Sequence, residues 1–102
     1  WLRAKASDTF APLGPVIVRG LNYADLRLLT RVNGIIKQDE CAHNLIHGVA
    51  TIISHISRTI TLHPGNVVYT RTPGRTSALK AGDVVEVKTE GVGVLKNPMQ
   101  AE

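Results

Sequence analysis

The chain has 102 residues, of which 43% are hydrophobic and 20% charged, and its formal net charge is +4. This length predicts one domain over residues 1–102, and the hydrophobic fraction excludes a disordered tail. A single cysteine excludes an internal disulfide. No apolar run approaches the ~18 residues of a membrane helix. We therefore expect a cytoplasmic protein with no membrane partner. The basic residues are scattered, so we expect no nucleic-acid partner either.

Two features of the first half predict β-structure. The segment from Pro15 to Arg19 is β-branched and lies between glycines, which is typical of a strand. Further on, Asn33-Gly34 separates the apolar runs LRLLTRV and IIKQ. Asn-Gly between apolar runs favours a tight hairpin, because both central residues must accept positive φ. The sequence therefore predicts a strand followed by a hairpin.

The segment from Asn44 to about Ser57 has helical periodicity. Its apolar residues recur at helical spacing on one stripe, whereas Thr51, Ser54 and His55 fall elsewhere. Asn44 stands where an N-cap is expected, since its side chain can accept a hydrogen bond from an unpaired backbone amide. The sequence therefore predicts one main helix.

The segments TLHPGNVVYTRTP and ALKAGDVVEVKTEG share a pattern, in which a turn ending in glycine precedes Val-Val and a strand. Eleven residues are too few for a solenoid unit, so we interpret this as one type of turn used twice. The last segment, GVGVLKNP, is expected to pair back through Glu90-Gly91. Together the elements predict an α+β fold that is mostly β, with short strands in a mixed, rolled or barrel-like sheet and one main helix.

Four motifs carry a resemblance over essentially the whole chain, in collinear order. They are WLRAKASDTFAPLGP at the start, the helix region, the turn with the TRTP strand end, and the closing LKAGDVVEVKTEGVGVLKNPMQAE. In this order they resemble the C-terminal part of the fumarylacetoacetate hydrolase family. The ending and the Thr-Pro loop look most like its 2-hydroxyhepta-2,4-diene-1,7-dioate isomerase branch.

The resemblance implies a function and three site residues. Members of the family act on small 2-oxo acids and 2-hydroxy-dienoic (di)acids, including those from aromatic catabolism, and use Mg²⁺ or Mn²⁺. By the family pattern Lys5 is catalytic and stabilises an enolate, Thr72 binds the substrate carboxylate, and Gln38 is a further substrate-binding residue. A homodimer is also implied. For each of these residues the alternative is an ordinary surface or strand position.

The largest departure from the family pattern concerns the metal. The family binds its cation through a Glu-x-Glu pair and an Asp upstream of the lysine, and this chain contains no Glu-x-Glu. A hard divalent cation needs several oxygen ligands, so we assign no metal ligand within the chain and expect the ligands upstream. Two hypotheses remain: a fragment of a metal-dependent isomerase or hydrolase, or a non-catalytic fragment or assembly module that keeps the fold.

Two further segments depart from the pattern. Arg71 replaces the usual glycine in TRTP, and three roles stay open for it: it clamps a second carboxylate, obstructs the pocket or points to solvent. The segment DECAHN replaces a run rich in Asn, Thr, Ser and Asp. Its Cys41 and His43 match no zinc spacing, so loop or surface roles are expected for them.

Overall fold

A computed structural model describes residues 7–70, 72 and 76–101 of the chain. Short 3-10 turns span Tyr23–Asp25 and Ala42–Asn44. The regular elements, in chain order, are β1 (Arg27–Val32), β2 (Ile35–Cys41), α1 (Val49–Ser57), β3 (Val84–Thr89) and β4 (Gly93–Pro98).

The four strands form one sheet in the order β2-β1-β3-β4, and every neighbouring pair is antiparallel. The α+β, mostly β class with one main helix is confirmed. Among the described residues the sheet is open, with β2 and β4 as its edges, rather than mixed and rolled into a barrel. A closed barrel would require these two edges to pair with each other.

The predicted hairpin at Asn33-Gly34 is confirmed. It joins β1 to β2, and the two turn residues have φ of 52° and 81°. Asn33 also ties this turn to the start of β3. Its side-chain Oδ1 accepts from the Val84 amide at 2.9 Å, and its Nδ2 donates to Asp83 Oδ1 at 2.8 Å. We call this set of contacts the Asn33 clasp; it links two hairpins that are about 50 residues apart in sequence.

The repeated turn is the same structure used twice. In one copy the Asn66 amide donates to the His63 carbonyl at 3.0 Å, and in the other the Asp83 amide donates to the Lys80 carbonyl at 3.1 Å. In each copy the side chain of the last residue accepts from the amide of the first, at 2.8 Å. Gly65 and Gly82 hold the position that requires positive φ, with values of 92° and 88°.

Two predicted strands are not formed. Residues 15–19 and 67–70 carry no strand pairing in the structure, although both are β-branched. Ile17, in the first of these segments, is 98% exposed, so no neighbouring strand among the described residues covers it. A β-rich sequence becomes a strand only where another strand supplies hydrogen-bond partners and a surface to cover. The predicted return of GVGVLKNP through Glu90-Gly91 is confirmed as the β3–β4 hairpin.

The helix is shorter than the periodicity predicts. It begins at Val49, after Gly48 as N-cap, and ends at Ser57. The proposed N-cap Asn44 is wrong. This residue ends a 3-10 turn and its Nδ2 donates to Glu40 Oε2 at 2.9 Å, while Leu45 is extended, with ψ of 131°. A backbone in the extended region at Leu45 cannot continue a helix, so the first predicted turn is lost.

Burial is sparse throughout the described ranges. Within residues 7–70, 72 and 76–101, Val32 alone among hydrophobic side chains is buried, at 8% exposure. It lies at the end of the central strand β1, next to the Asn33 clasp. No helix in these ranges is long and apolar enough to cross a membrane.

Candidate functional site

A β-bulge decides which face of the sheet Gln38 occupies. The two-residue turn pairs Val32 with Ile35 and Arg31 with Ile36. Regular pairing would then place Gln38 opposite Leu29. The register instead shifts between Thr30 and Arg31, Lys37 is left as the extra residue, and Gln38 stands opposite Thr30. Because side chains alternate between faces, this shift of one residue moves Gln38 to the other face of the sheet.

Thr30 contacts the predicted substrate-binding residue directly. Its Oγ1 lies 3.2 Å from Gln38 Oε1, in a partly buried position. A carboxamide oxygen has no proton, so the threonine hydroxyl is the donor. Thr30 also pairs with Val87 on its other side. Its backbone is therefore held by two neighbouring strands, while Gln38 lies on an edge strand.

Gln38 and Thr30 begin a row of side chains that crosses the sheet. Thr30 pairs with Val87, and Val87 pairs with Leu95 on β4. Three strand spacings of about 4.8 Å make this row about 14 Å long. We call these four residues (Gln38, Thr30, Val87 and Leu95) the cross-sheet row.

The segment that follows Lys5 covers the far end of the cross-sheet row. A Cβ placed on Gly14 would lie 3.6 Å from Leu95 Cδ1, and one placed on Gly93 would lie 3.0 Å from Pro15 Cγ. The Tyr69 hydroxyl donates to the Ala11 carbonyl at 3.3 Å. This bond joins the segment that leads to Thr72 with the segment that leaves Lys5.

The structure describes two of the three predicted site residues, and their surroundings differ. Gln38 lies half-buried on β2, and Thr72 is exposed outside any regular element. Lys5 lies outside the described residues, as does Arg71. That Lys5, Thr72 and Gln38 line one pocket therefore stays a prediction.

The opposite face of the sheet is charged. The Arg27 guanidinium donates to Asp39 through two nitrogens, with Nε 2.7 Å from Oδ1. This fork lowers the pKa of Asp39 from its ordinary value, first through the hydrogen bond and further through the positive charge. On β4 and its neighbour β3, Lys96 pairs with Glu86 at 2.9 Å. Both pairs are at the protein surface, although Glu86 is half-buried, and surface pairs of this kind add little stability.

The described residues do not fit a divalent cation. No group of three or more His, Cys, Asp or Glu side chains among them could hold a metal ion. Carboxylates near Cys41 already have other partners, since Arg27 holds Asp39 and Asn44 donates to Glu40. A hard cation prefers a cluster of oxygen ligands that these pairings do not leave.

The match to a family model settles the relationship. Residues 1–100 match the model described as fumarylacetoacetate (FAA) hydrolase C-terminal. The chain belongs to this family. The fold and the family expected from the four collinear motifs are thereby confirmed.

Solved structures of the family superpose closely on the chain. A 5-carboxymethyl-2-hydroxymuconate delta-isomerase from Mycobacterium smegmatis is 40% identical with a TM-score of 0.95, over 100% of this chain and 41% of that one. A 2-hydroxyhepta-2,4-diene-1,7-dioate isomerase from Mycobacterium marinum is 44% identical with a TM-score of 0.92, over 96% and 39%.

The chain is also similar in sequence to curated proteins. A mitochondrial oxaloacetate tautomerase of Bos taurus is 35% identical over 107 residues, which is 95% of this chain and 34% of that protein. The chain spans less than half the length of the curated relatives that it matches.

Sequence reasoning found Gln38 through the family pattern but missed Thr30. One signal was present. Thr30 lies two residues from the apolar Leu28 and two from Val32, and this spacing places its hydroxyl on the same face of β1 as their side chains. A polar group in such a row is expected to have a partner. The bulge at Lys37 had no signal of its own in the sequence.

Proposed function

We propose that the complete protein is a divalent-metal-dependent isomerase or hydrolase of 2-oxo or 2-hydroxy-dienoic (di)acids, working in the catabolism of aromatic compounds. The observation that carries this proposal is the superposition of the whole chain on the delta-isomerase of M. smegmatis at 40% identity. The tautomerase relative supports the same chemistry, because tautomerisation also passes through an enol.

The proposed reactions share one requirement. A proton leaves or joins a carbon next to a carbonyl, and negative charge builds on the carbonyl oxygen as the enolate forms. A fixed cationic donor at that oxygen stabilises the charge. In this proposal the Lys5 ammonium is that donor, the Thr72 hydroxyl donates to the substrate carboxylate, and the Gln38 carboxamide fixes the other end of the substrate.

The cation requires residues beyond those described. Since the carboxylates near Cys41 are engaged with Arg27 and Asn44, we expect the ligands for Mg²⁺ or Mn²⁺ upstream of Lys5, in the family's Glu-x-Glu and Asp pattern. The contact between Tyr69 and Ala11 supports the proposed pocket, because it joins the segment that leads to Thr72 with the segment that follows Lys5.

Turnover by the complete protein tests the proposal. We would follow 5-carboxymethyl-2-hydroxymuconate isomerisation and oxaloacetate enolisation by ultraviolet absorbance, with and without Mg²⁺ or Mn²⁺. Lys5→Met should lower kcat by about 10²- to 10³-fold, the usual effect of removing one oxyanion donor. Lys88→Met is the matched control, because Lys88 is an exposed lysine on the opposite, charged face of the sheet. Equal activities of the two variants would remove Lys5 from the mechanism.

Thr72→Val tests carboxylate binding separately. Loss of a hydrogen bond to a charged group should lower kcat/KM by about 10- to 100-fold, mostly through KM. Thr51→Val on the exposed face of α1 is the control for this substitution. A Thr72→Val enzyme with wild-type KM would contradict the assigned role.

A non-catalytic assembly module is the second candidate. The observation that favours it is that Asp39 and Glu40, the two carboxylates next to Cys41, are engaged by Arg27 and Asn44. A folded complete protein that turns over none of these substrates with either cation would support the module and overturn the enzyme proposal. The homodimer stays a prediction, to be measured by sedimentation of the same sample.

A further inference from the structure

The Asn33-Gly34 turn combines a reactive asparagine with an unshielded neighbour. Asn33 is followed by glycine, whereas the asparagines at positions 22, 44, 66 and 97 are followed by larger residues. Glycine has no side chain to cover its backbone nitrogen, and a Cβ placed on Gly34 would meet no described atom within 4 Å. Both turn residues are exposed to water. Asparagine is a thermolabile residue, and Asn33 is the one whose side-chain amide a neighbouring nitrogen reaches most easily.

We propose that Asn33 is a site of spontaneous deamidation, that the clasp to Asp83 slows the reaction, and that its product can no longer close the clasp. The Gly34 backbone nitrogen bonds to the Asn33 side-chain carbonyl carbon and gives up its proton, while the bond from this carbon to Nδ2 breaks and ammonia leaves. Water then opens the resulting succinimide ring at either carbonyl, which leaves an aspartate or an isoaspartate at position 33. Nothing is oxidised or reduced, and the reaction needs no substrate of the proposed enzyme.

The clasp opposes this reaction through both polar atoms of the Asn33 side chain. Nδ2, which must leave as ammonia, donates to Asp83 Oδ1 at 2.8 Å, and Oδ1 accepts from the Val84 amide at 2.9 Å. The reacting carbon is thus tied to the start of β3, and the side chain must leave these partners before the carbon can bond to the Gly34 nitrogen. The reaction rate should therefore follow the fraction of molecules in which the clasp is open.

The product replaces a hydrogen-bond donor by a second negative charge. The pKa of Asp83 lies below its ordinary value, first because the Lys80 amide and then because the Asn33 side chain donate to it, so Asp83 is charged at neutral pH. The positive charges of Lys80 and Lys37 lower this pKa further. A carboxylate at position 33 would stand where a donor now meets Asp83, and two ionised carboxylates at one site repel each other. The clasp then stays open, and the β1–β2 hairpin loses its side-chain tie to β3.

The isoaspartate product disturbs the backbone as well. In the intact turn the Asn33 amide donates to the Val84 carbonyl at 2.9 Å, so the main chain and the side chain of Asn33 both pair with Val84. Isoaspartate carries the chain through its side-chain carbon, which lengthens the main chain between positions 33 and 34. The register of a hairpin is fixed by the length of its loop, so the longer turn strains the pairing of β1 with β2. Either product thus loosens the turn next to the buried Val32.

Mass spectrometry of the complete protein measures the reaction. The protein is incubated at mildly alkaline pH, and trypsin then releases residues 32–37 as one peptide, whose conversion from amide to acid is followed over time. Asp83→Ala should speed this conversion by about fivefold, the factor that one solvent-exposed hydrogen bond supplies. Asn66→Ala is the matched control, because it removes the corresponding side-chain contact from the other turn and leaves the clasp intact. Exchange at the Val87 amide, unchanged in both variants, would show that the sheet is intact.

Three results of this measurement would overturn the proposal. Conversion at Asn33 no faster than at Asn66, in wild type and in Asp83→Ala, would show that Asn33 is not a deamidation site. Equal rates in wild type and Asp83→Ala would show that the clasp does not slow the reaction. An equal rise in Asp83→Ala and Asn66→Ala would assign the effect to a general loosening of the turns.

An exchange of the two side chains tests the product directly. Asn33→Asp places the product carboxylate at position 33 and should speed hydrogen exchange at the Val84 amide by about fivefold. In the double variant Asn33→Asp/Asp83→Asn, the amide at position 83 donates to this carboxylate and its oxygen still accepts from the Lys80 amide, so Val84 exchange should return towards the wild-type rate. Wild-type Val84 exchange in Asn33→Asp, or exchange that the second substitution does not slow, would contradict the assigned repulsion and overturn the proposal.

Discussion

The Asn33 clasp offers a local test of how the two hairpins are joined. We consider Asn33→Gly, because glycine adopts the φ of 52° found at this position without strain. The substitution therefore keeps the turn and removes only the side chain. Two hydrogen bonds are lost, from the Val84 amide to Oδ1 at 2.9 Å and from Nδ2 to Asp83.

The loss of the hydrogen bond from the Val84 amide should speed hydrogen exchange at this amide. Asn33 lies in solvent, so water replaces part of the lost bond, and its net value is about 1 kcal/mol. If the first residue of β3 opens locally, this corresponds to about fivefold faster hydrogen exchange at the Val84 amide. Exchange measured residue by residue by NMR is the assay. Amides in the middle of β3, such as Val87, should change less, because their protection depends on pairing with β1.

Asn66→Gly is the matched control. Asn66 also accepts from a backbone amide through its Oδ1, but from the His63 amide within its own turn, at 2.8 Å. The control should speed exchange at His63 and leave Val84 unchanged. A wild-type rate of Val84 exchange in Asn33→Gly, or an equal change at Val84 in both variants, would show that the Asn33 side chain does not protect this amide.

Three further predictions follow from the described contacts. The pKa of Asp83 is lowered, because the Lys80 amide and then the Asn33 side chain donate hydrogen bonds to its carboxylate. The turn that contains Asp83 should therefore stay formed above the ordinary carboxyl pKa of 3.8 and weaken as the pH falls through the lowered value. Asp83→Asn should abolish this pH dependence, which a pH series of Lys80 amide exchange would measure. Val32→Ala should lower the free energy of unfolding, measured by urea denaturation, by about 2 kcal/mol, because it removes two buried methyl groups and leaves a cavity. A change below the experimental error would show that the end of β1 is not packed. Asp39→Asn should leave the unfolding midpoint at pH 7 nearly unchanged because the Arg27 pair lies in solvent, and a large loss would contradict its description as a surface pair.

Local turn chemistry is what the sequence predicts best. Asn33-Gly34 specified a hairpin, and the two glycine turns were recognised as one type, because positive φ is a property of the residues themselves. The family was also readable, since four motifs in register are sequence information by nature. These features need no knowledge of what surrounds them.

Elements that depend on a partner were predicted less well. The segment 15–19 is as β-branched as β3, yet only β3 has strands on both sides. Asn44 has the right chemistry for an N-cap, yet its amide is taken by Glu40 from the preceding strand. In both cases a contact outside the segment, rather than the propensity of its own residues, decides the outcome.

The sequence alone determined the turns, the class of fold, the family and the identity of Gln38 as a candidate. Only the tertiary structure decided that Gln38 faces Thr30. The two-residue turn by itself would place Gln38 opposite Leu29 on the charged face, and the bulge at Lys37 reverses this. The physical reason is that the alternation of side chains along a strand is a local property of that strand. The register between two strands depends instead on how they pair along their whole length, because this pairing must satisfy the contacts on both faces of the sheet.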